Sequence, residues 1–237
     1  MAKPRLYVET DLTLGKTISI DGDAHHYISR VMRMRVGALV EIFNGSSDGF
    51  DAEIVTSDKR TTQLAIISVA TPFRMPPNLT LAFAPIKKAR TDFIIEKATE
   101  LGVRNIIPVV TQFTNSERLR VDKLTRYAIE AAEQCGGTFV PSVSEPVSFS
   151  EFLKGDNGQI LFCDETANTG EGVATFATTK ADHWTIIIGP EGGFSPSERE
   201  ALIAAGALRI SLGPRILRAD TAAIAAITLW QNTHGDW

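Results

Sequence analysis

The stretch of this chain best built for binding chemistry runs from Thr185 to Leu229, and it holds two copies of one arrangement. An apolar run, Ile186-Ile187-Ile188 and later Ile210-Ser211-Leu212, leads into a Gly-Pro pair, Gly189-Pro190 in the first copy and Gly213-Pro214 in the second. A helix signal follows each pair. In the first, Ser195 can cap, Pro196 takes the first helical position and Glu198 stands three residues past the cap. In the second, Asp220 or Thr221 precedes a run of alanines, isoleucines and a leucine that reads as a capped helix. Strand-loop-helix units gather backbone N–H groups at the carboxyl ends of strands, where α/β sheets bind ligands. Two such loops about two dozen residues apart predict one ligand held between two backbone loops, although two ordinary tight turns would carry the same residues. Gly192-Gly193 permit close backbone approach. The pattern is neither GxGxxG nor GxxxxGK[ST], no Lys stands where a phosphate needs one, and Glu191 sits in the loop. A nucleoside-type ligand without a phosphate chain fits these residues better than a nucleotide.

The elements that must position these loops emerge from the rest of the chain. Its 237 residues, 43% hydrophobic and 22% charged, have the balance of a soluble globular protein of one large or two smaller domains. No apolar run approaches a membrane span, and the start, MAKPRLYVET, lacks a signal-peptide core. Cys135 and Cys163 form no CxxC and imply no disulfide framework. The four histidines offer no metal-ligand spacing, so no metal is expected. The expected setting is the cytoplasm. The net charge of −4 is unevenly spread. Six acids face one base between Pro141 and Gly172, whereas Arg74 to Arg90 carries four bases and no acid. Basic surface is therefore available to a polyanion.

Residues 1–72 read as β, with five short β-prone runs and a hairpin-type loop at Asn44–Gly49, which suggests a small barrel. One helix interrupts them after Asp21 and Asp23, either of which can cap it. Ile28, Val31, Met32 and Arg35 recur at helical spacing and predict a core face. His26, Arg30 and Arg33 predict an exposed face, either merely solvated or suited to phosphate through the planar arginine fork. The segment 71–79, with three prolines, marks a domain junction. From there strands and helices alternate: LTLAFAP, then a helix closed by Gly102, NIIPVV, a long helix closed by Gly136-Gly137, a short helix capped by Ser148 and Glu151, and QILFCDE. This alternation predicts a mainly parallel sheet covered on both faces. The last helix, about Thr221 to Gln231, is apolar nearly all round and is expected to be buried on more than one side.

GPEGGFSPSE followed by LGPRILRADTA resembles the SPOUT superfamily of RNA methyltransferases, and more closely the ribosomal RNA small subunit methyltransferase E family. Lys87, Arg90, the KATELG string around Lys97 and the Glu133-Gln134-Cys135-Gly136 string match as well, so the resemblance covers nearly the whole chain. It implies an α/β C-terminal domain, 73–237, with a trefoil knot, S-adenosylmethionine as cofactor and homodimerisation near the cofactor loops. It also implies a PUA-like RNA-binding β-barrel, 1–72. The implied reaction is methylation of uridine N3 in 16S rRNA near the decoding site of the small ribosomal subunit. By carry-over, Phe162, Cys163 and Asp164, then Ile188, Gly189, Pro190, Gly192 and Gly193, then Leu212, Gly213, Ile216, Leu217 and Ala219 would wrap the cofactor. Arg218 would face the uridine, with Arg215 the second candidate, or Arg218 would salt-bridge Asp220 or Glu191 and shape the loop. Glu191 and Asp220 are the candidate carboxylates. Arg5, His26, Arg30, Arg33, Arg35, Lys87, Arg90, Arg118 and Arg215 are the implied RNA contacts. Two positions depart from the family pattern. Gly137 stands where Arg is common, which leaves Arg118 or Arg120 to hold RNA in its place, and Asp220 stands where Glu is usual. Two other classes are compatible with the residues alone: a non-catalytic RNA-binding protein with a cofactor-type fold, and a nucleotide-dependent α/β enzyme. The second lacks its pyrophosphate fingerprint.

Overall fold

The computed structural model describes residues 3–115 and 119–237, and these divide into two compact units. One comprises residues up to Met75 together with Ala132–Val140; the other comprises Pro76–Ala131 and Pro141–Trp237.

The first unit contains the five expected strands: β1 (Arg5–Tyr7), β2 (Thr17–Ile20), β3 (Leu39–Phe43), β4 (Gly49–Ser57) and β5 (Thr62–Thr71). They form a sheet of order β1-β3-β4-β5-β2. Its outer strands are not paired with each other among the described residues, so the ladder is open rather than a closed barrel. Side chains alternate across each strand. Hence Phe50, Ala52 and Ile54 of β4 and Leu64 and Ile66 of β5 point into one core with Val40 and Ile42. Each of the buried Val, Leu, Ile and Phe side chains among them contributes roughly 1.5–3 kcal/mol. The β3–β4 loop is closed by Asn44, whose Oδ1 accepts from the Ser46 and Ser47 N–H groups at 3.1 and 3.0 Å, a local Asx turn.

The expected core face of the single helix is corrected. The segment is a short helix, α1 (Gly22–His26), continued by a π-helical turn, Tyr27–Val31. Of the four residues assigned inward, Ile28 alone is buried; Val31, Met32 and Arg35 are exposed. The wider π turn breaks the 3.6-residue period on which the expectation rested. Asp21 occupies the capping position but makes no side-chain cap bond.

The second unit is built on a parallel sheet of order β12-β10-β11-β6-β7-β8. Its strands are β6 (Leu79–Phe83), β7 (Asn105–Val110), β8 (Ser142–Val143), β9 (Val147–Ser148), β10 (Gln159–Cys163), β11 (Trp184–Ile188) and β12 (Leu208–Ile210). The short β9 pairs with β7 off this path. Every residue of β6 and β11 is buried, as a sheet covered on both faces requires. The helices are α2 (Lys88–Glu100), α3 (Val121–Cys135), α4 (Phe149–Lys154), α5 (Val173–Thr178), α6 (Pro196–Ala204) and α7 (Ala219–His234). Both expected capping boxes are present: Ser148 with Glu151, and Ser195 with Glu198.

Three expectations are amended. The second apolar run leaves the sheet at Ile210, so Ser211 and Leu212 belong to the loop. The last helix starts at Ala219 with Arg218 in the capping position, and neither Asp220 nor Thr221 caps it. It is buried along one side, through Ala223, Ala226, Ile227 and Trp230, while Ile224 and Leu229 stay half-exposed. Helix α5 has no periodic signature because it buries Phe176 alone. Gly172 precedes it in a left-handed conformation, where a Cβ would stand 2.0 Å from the Arg209 carbonyl oxygen. Only glycine permits that crossing.

Candidate active site

Three loops leave the carboxyl ends of β10, β11 and β12 and enclose a cleft of about 590 Å³, a size suited to a small-molecule ligand. The first Gly-Pro loop is a tight turn in which the Gly193 N–H donates to the Pro190 carbonyl at 2.9 Å. Gly193 is left-handed, and a Cβ there would lie 2.4 Å from Glu165 Oε1, so a side chain at this wall is strained and displaces Glu165. Behind the turn, Glu198 does more than cap α6. Its Oε2 accepts from the Ser195 N–H at 2.9 Å and its Oε1 from the Gln112 N–H at 2.8 Å. It thereby ties the turn to the loop after β7.

The β10 loop is fixed by ion pairs. Asp164 is 3% exposed. Its carboxylate accepts from Arg199, from Arg209 Nε at 2.7 Å and from the Thr166 N–H at 2.9 Å. Arg199 also donates to Glu165 and, from Nε, to the Phe194 carbonyl at 3.0 Å. Burial, and then the charge of Arg209, pull the Arg199 guanidinium below its ordinary pKa. Arg209 reaches Glu171 at 2.9 Å. One arginine on α6 therefore clamps the β10 loop to the β11 loop. Cys163 lies in the wall with its thiol pushed up to about 12 by burial, so it stays neutral.

Of the expected cofactor residues, Cys163, Asp164, Ile188, Gly189, Pro190, Gly192, Gly193, Leu212, Gly213, Ile216, Leu217 and Ala219 all line the cleft. Phe162 does not: it is fully buried beneath, its ring 5.3 Å from that of Phe194 and edge-on to it. Arg218, Arg215 and Glu191 line the cleft, and no ion pair among the described residues involves them. Asp220 lies outside the lining and pairs with Arg90 at 3.5 Å, in the first turn of α7. A carboxylate there also suits the positive end of the helix dipole.

Glu165, Asn168 and Thr169 line the cleft without having been anticipated. The signal available was the excess of acid between Pro141 and Gly172, which had to find cations from elsewhere in the chain. It finds Arg199 and Arg209.

The remaining basic residues do not line the cleft. His26, Arg30, Arg33, Arg35 and Lys87 are exposed. Arg5 is turned inward within the first unit. Its guanidinium donates to the carbonyls of Ala132 and Gly137, each at 2.9 Å, and its Nε lies 3.1 Å from Glu41 Oε1 without hydrogen-bond alignment. Arg120 pairs with Asp122 at 2.5 Å. Arg118 lies outside the described residues. Among the described residues there is no group of three or more potential metal ligands and no helix long and apolar enough to cross a membrane.

The family profile of the RNA methyltransferase domain matches residues 74–231, and that of the RNA methyltransferase PUA domain matches residues 20–67. Ribosomal RNA small subunit methyltransferase E of Rickettsia conorii is 32% identical over 94% of this chain and 93% of its own. The Bacillus subtilis protein of the same name is 32% identical over 90% of this chain and 88% of its own. The crystal structure of the Neisseria gonorrhoeae protein of that name, bound to S-adenosyl methionine, superposes with a TM-score of 0.88 at 27% identity, covering 100% of both chains. With two domain profiles in tandem and full-length relatives of one name, the chain belongs to the ribosomal RNA small subunit methyltransferase E family.

Proposed function

We propose that this chain methylates N3 of one uridine of 16S rRNA within the small ribosomal subunit, working in the cytoplasm as a homodimer with a knotted C-terminal domain. The coarser activity follows from the family: it is an S-adenosylmethionine-dependent rRNA methyltransferase. The observation that carries the reading is the cleft itself. Backbone of the Gly-Pro loops and aliphatic side chains (Ile188, Leu212, Leu217) line it beside five charged groups, Asp164, Glu165, Glu191, Arg215 and Arg218, with no Lys and no phosphate-binding glycine pattern, and this suits a nucleoside carrying a sulfonium tail.

S-Adenosylmethionine, when bound, supplies an electrophilic methyl group for in-line displacement. The chain's task is to hold uridine N3 on the axis of the breaking bond, and such positioning contributes several kcal/mol. As the N–CH₃ bond forms the S–CH₃ bond breaks, and the N3 proton must leave to a base. Three carboxylates line the cleft. Asp164 and Glu165 are committed to Arg199 and Arg209, which leaves Glu191 as the proton acceptor. Arg218, exposed at the head of α7, is the cation that stabilises negative charge developing on the uracil. Asp220 and Arg90 set that helix end in place.

Support for the knot comes from connectivity. β12 lies at the sheet edge beside β10, yet α7 packs on α2 and β11. The chain after β12 therefore returns across the strand ends. The half-exposed Ile224 and Leu229 on α7 supply an apolar face for a second copy.

The test is methylation of small subunits lacking the modification, using labelled S-adenosylmethionine and nucleoside mass spectrometry. N3-methyluridine is the expected product; a methyl group on another base refutes the assignment. Arg218→Ala is expected to retain cofactor affinity by calorimetry and lose at least about 100-fold in turnover, and Glu191→Gln to lose about 10²–10⁴-fold. Lost cofactor binding in a folded Arg218→Ala protein would make the arginine structural instead.

A further inference from the structure

The segment from Arg30 to Val40 holds three arginines and no carboxylate. It also exposes four large apolar side chains: Val31 at 57%, Met32 at 42%, Val36 at 62% and Leu39 at 42%. A solvated face has no use for so much apolar surface in one short stretch, and a surface reading phosphates alone has none either.

The backbone holding these side chains outward is firmly fixed. His25, buried, bonds Thr62 Oγ1 through Nδ1 at 2.8 Å, and Ile28 is fully buried. The Met32 N–H donates to the Tyr27 carbonyl at 2.9 Å and the Met34 N–H to the Ile28 carbonyl at 3.0 Å. Between them Arg33 is held left-handed, at φ 52°, a conformation rare for residues other than glycine. A turn closed by the Ala38 N–H on the Arg35 carbonyl, at 3.0 Å, then lifts Val36 to its tip. The apolar side chains thus stand on a braced platform, interleaved with Arg30, Arg33 and Arg35.

We propose that this platform binds an unpaired RNA strand, with the arginines on its phosphates and Val31, Met32 and Val36 against the faces of splayed bases. The inference rests on the rRNA reading above and narrows it to one class of RNA. A duplex offers phosphates while keeping its base faces stacked inside; a single strand offers both at once. Arginine forks interleaved with apolar side chains complement only the second. The net charge of the stretch argues for a polyanion rather than a neutral apolar partner.

The test uses the full-length protein and two labelled probes of one sequence, a single-stranded RNA and its duplex, read by fluorescence anisotropy over a salt series. The triple variant V31Q/M32Q/V36Q changes exposed residues only, and a thermal melt checks that it is folded. It is expected to bind the single strand at least about tenfold more weakly, with unchanged duplex affinity and unchanged salt slope. The variant R30Q/R35Q, which leaves the left-handed Arg33 alone, is expected to flatten the salt slope on both probes. Parent-like single-strand binding by the triple variant, or an equal loss on both probes, overturns the proposal. Methylation of small subunits by the parent is measured in parallel. Failure there sinks the enzymatic reading and is distinct from either result on the oligonucleotides.

Discussion

Replacing Arg199 by Ala tests whether ion pairs between loops set the geometry of the cleft. Among the described residues, Arg199 is the one side chain that bonds both the β10 loop, through Asp164 and Glu165, and the β11 loop, through the Phe194 carbonyl. The loss is a sum of unequal parts. The bond to Asp164, whose side chain is 2% exposed, is charge-assisted and sheltered, about 2 kcal/mol. The partner at Glu165 is 36% exposed and is discounted to about 0.5 kcal/mol. The bond to the Phe194 carbonyl adds about 1 kcal/mol. Asp164 is not stranded, because Arg209 still holds it at 2.7 Å, so the larger penalty of a bare buried carboxylate does not apply. The total is about 3.5 kcal/mol, and for a chain of this size it lowers Tm by about 7–14 °C. Because the two walls then move independently, S-adenosylmethionine affinity is expected to fall by about tenfold or more. Differential scanning calorimetry and titration calorimetry read the two effects. As a control, Arg120→Ala removes an equally well-formed pair that is fully exposed, and its melting temperature is expected to match the parent. If Arg199→Ala melts within about 2 °C of the parent and binds the cofactor normally, the clamp is incidental and the cleft is held by the sheet alone.

Gly193→Ala places a Cβ on a left-handed backbone and against Glu165; a loss of about 1–3 kcal/mol in stability and a weakened cofactor complex are expected by the same two measurements. Cys163 offers a pH test. Burial raises its thiol from an ordinary 9.0 to about 12, so the folded state favours the neutral form. Its stabilising contribution is complete below about pH 9 and is lost as pH rises towards 12. Melting temperatures between pH 8 and 11 should fall less steeply in Cys163→Ala than in the parent. With a thiol reagent at pH 8, the exposed Cys135 should react in the native protein and Cys163 only after unfolding.

The parts of this molecule that could be read in advance are those written in local chemistry. Ser195-Pro196 with Glu198 is a complete set of instructions for starting a helix, and the structure contains the reciprocal bonds. The five strands of the first unit were visible because β-prone runs such as TISI and FDAEIV alternate with turn residues, and residues on β4 and β5 are buried at period two. Where the period is not constant, the reading failed. The π turn at Tyr27–Val31 displaces Val31 and Met32 outward, and no residue type in that run announces the widening. The cleft shows the same division. Its glycines and prolines lie in two short strings, so those two walls could be named, whereas Glu165, Ala167, Asn168 and Thr169 of the β10 loop could not. The clamp could not, because Asp164 meets Arg199 and Arg209 across 35 and 45 residues, and sequence distance carries no sign of such a pairing. Charge balance is the nearest thing to a signal. An acidic segment with one base of its own must be neutralised by something, or be left to solvent. A carboxylate as buried as Asp164 settles which, because an unpaired charge at that depth would cost several kcal/mol. The same reasoning separates the cleft's carboxylates. Glu191 is the one with no arginine to neutralise it among the described ion pairs, which is why it is the one proposed as the base.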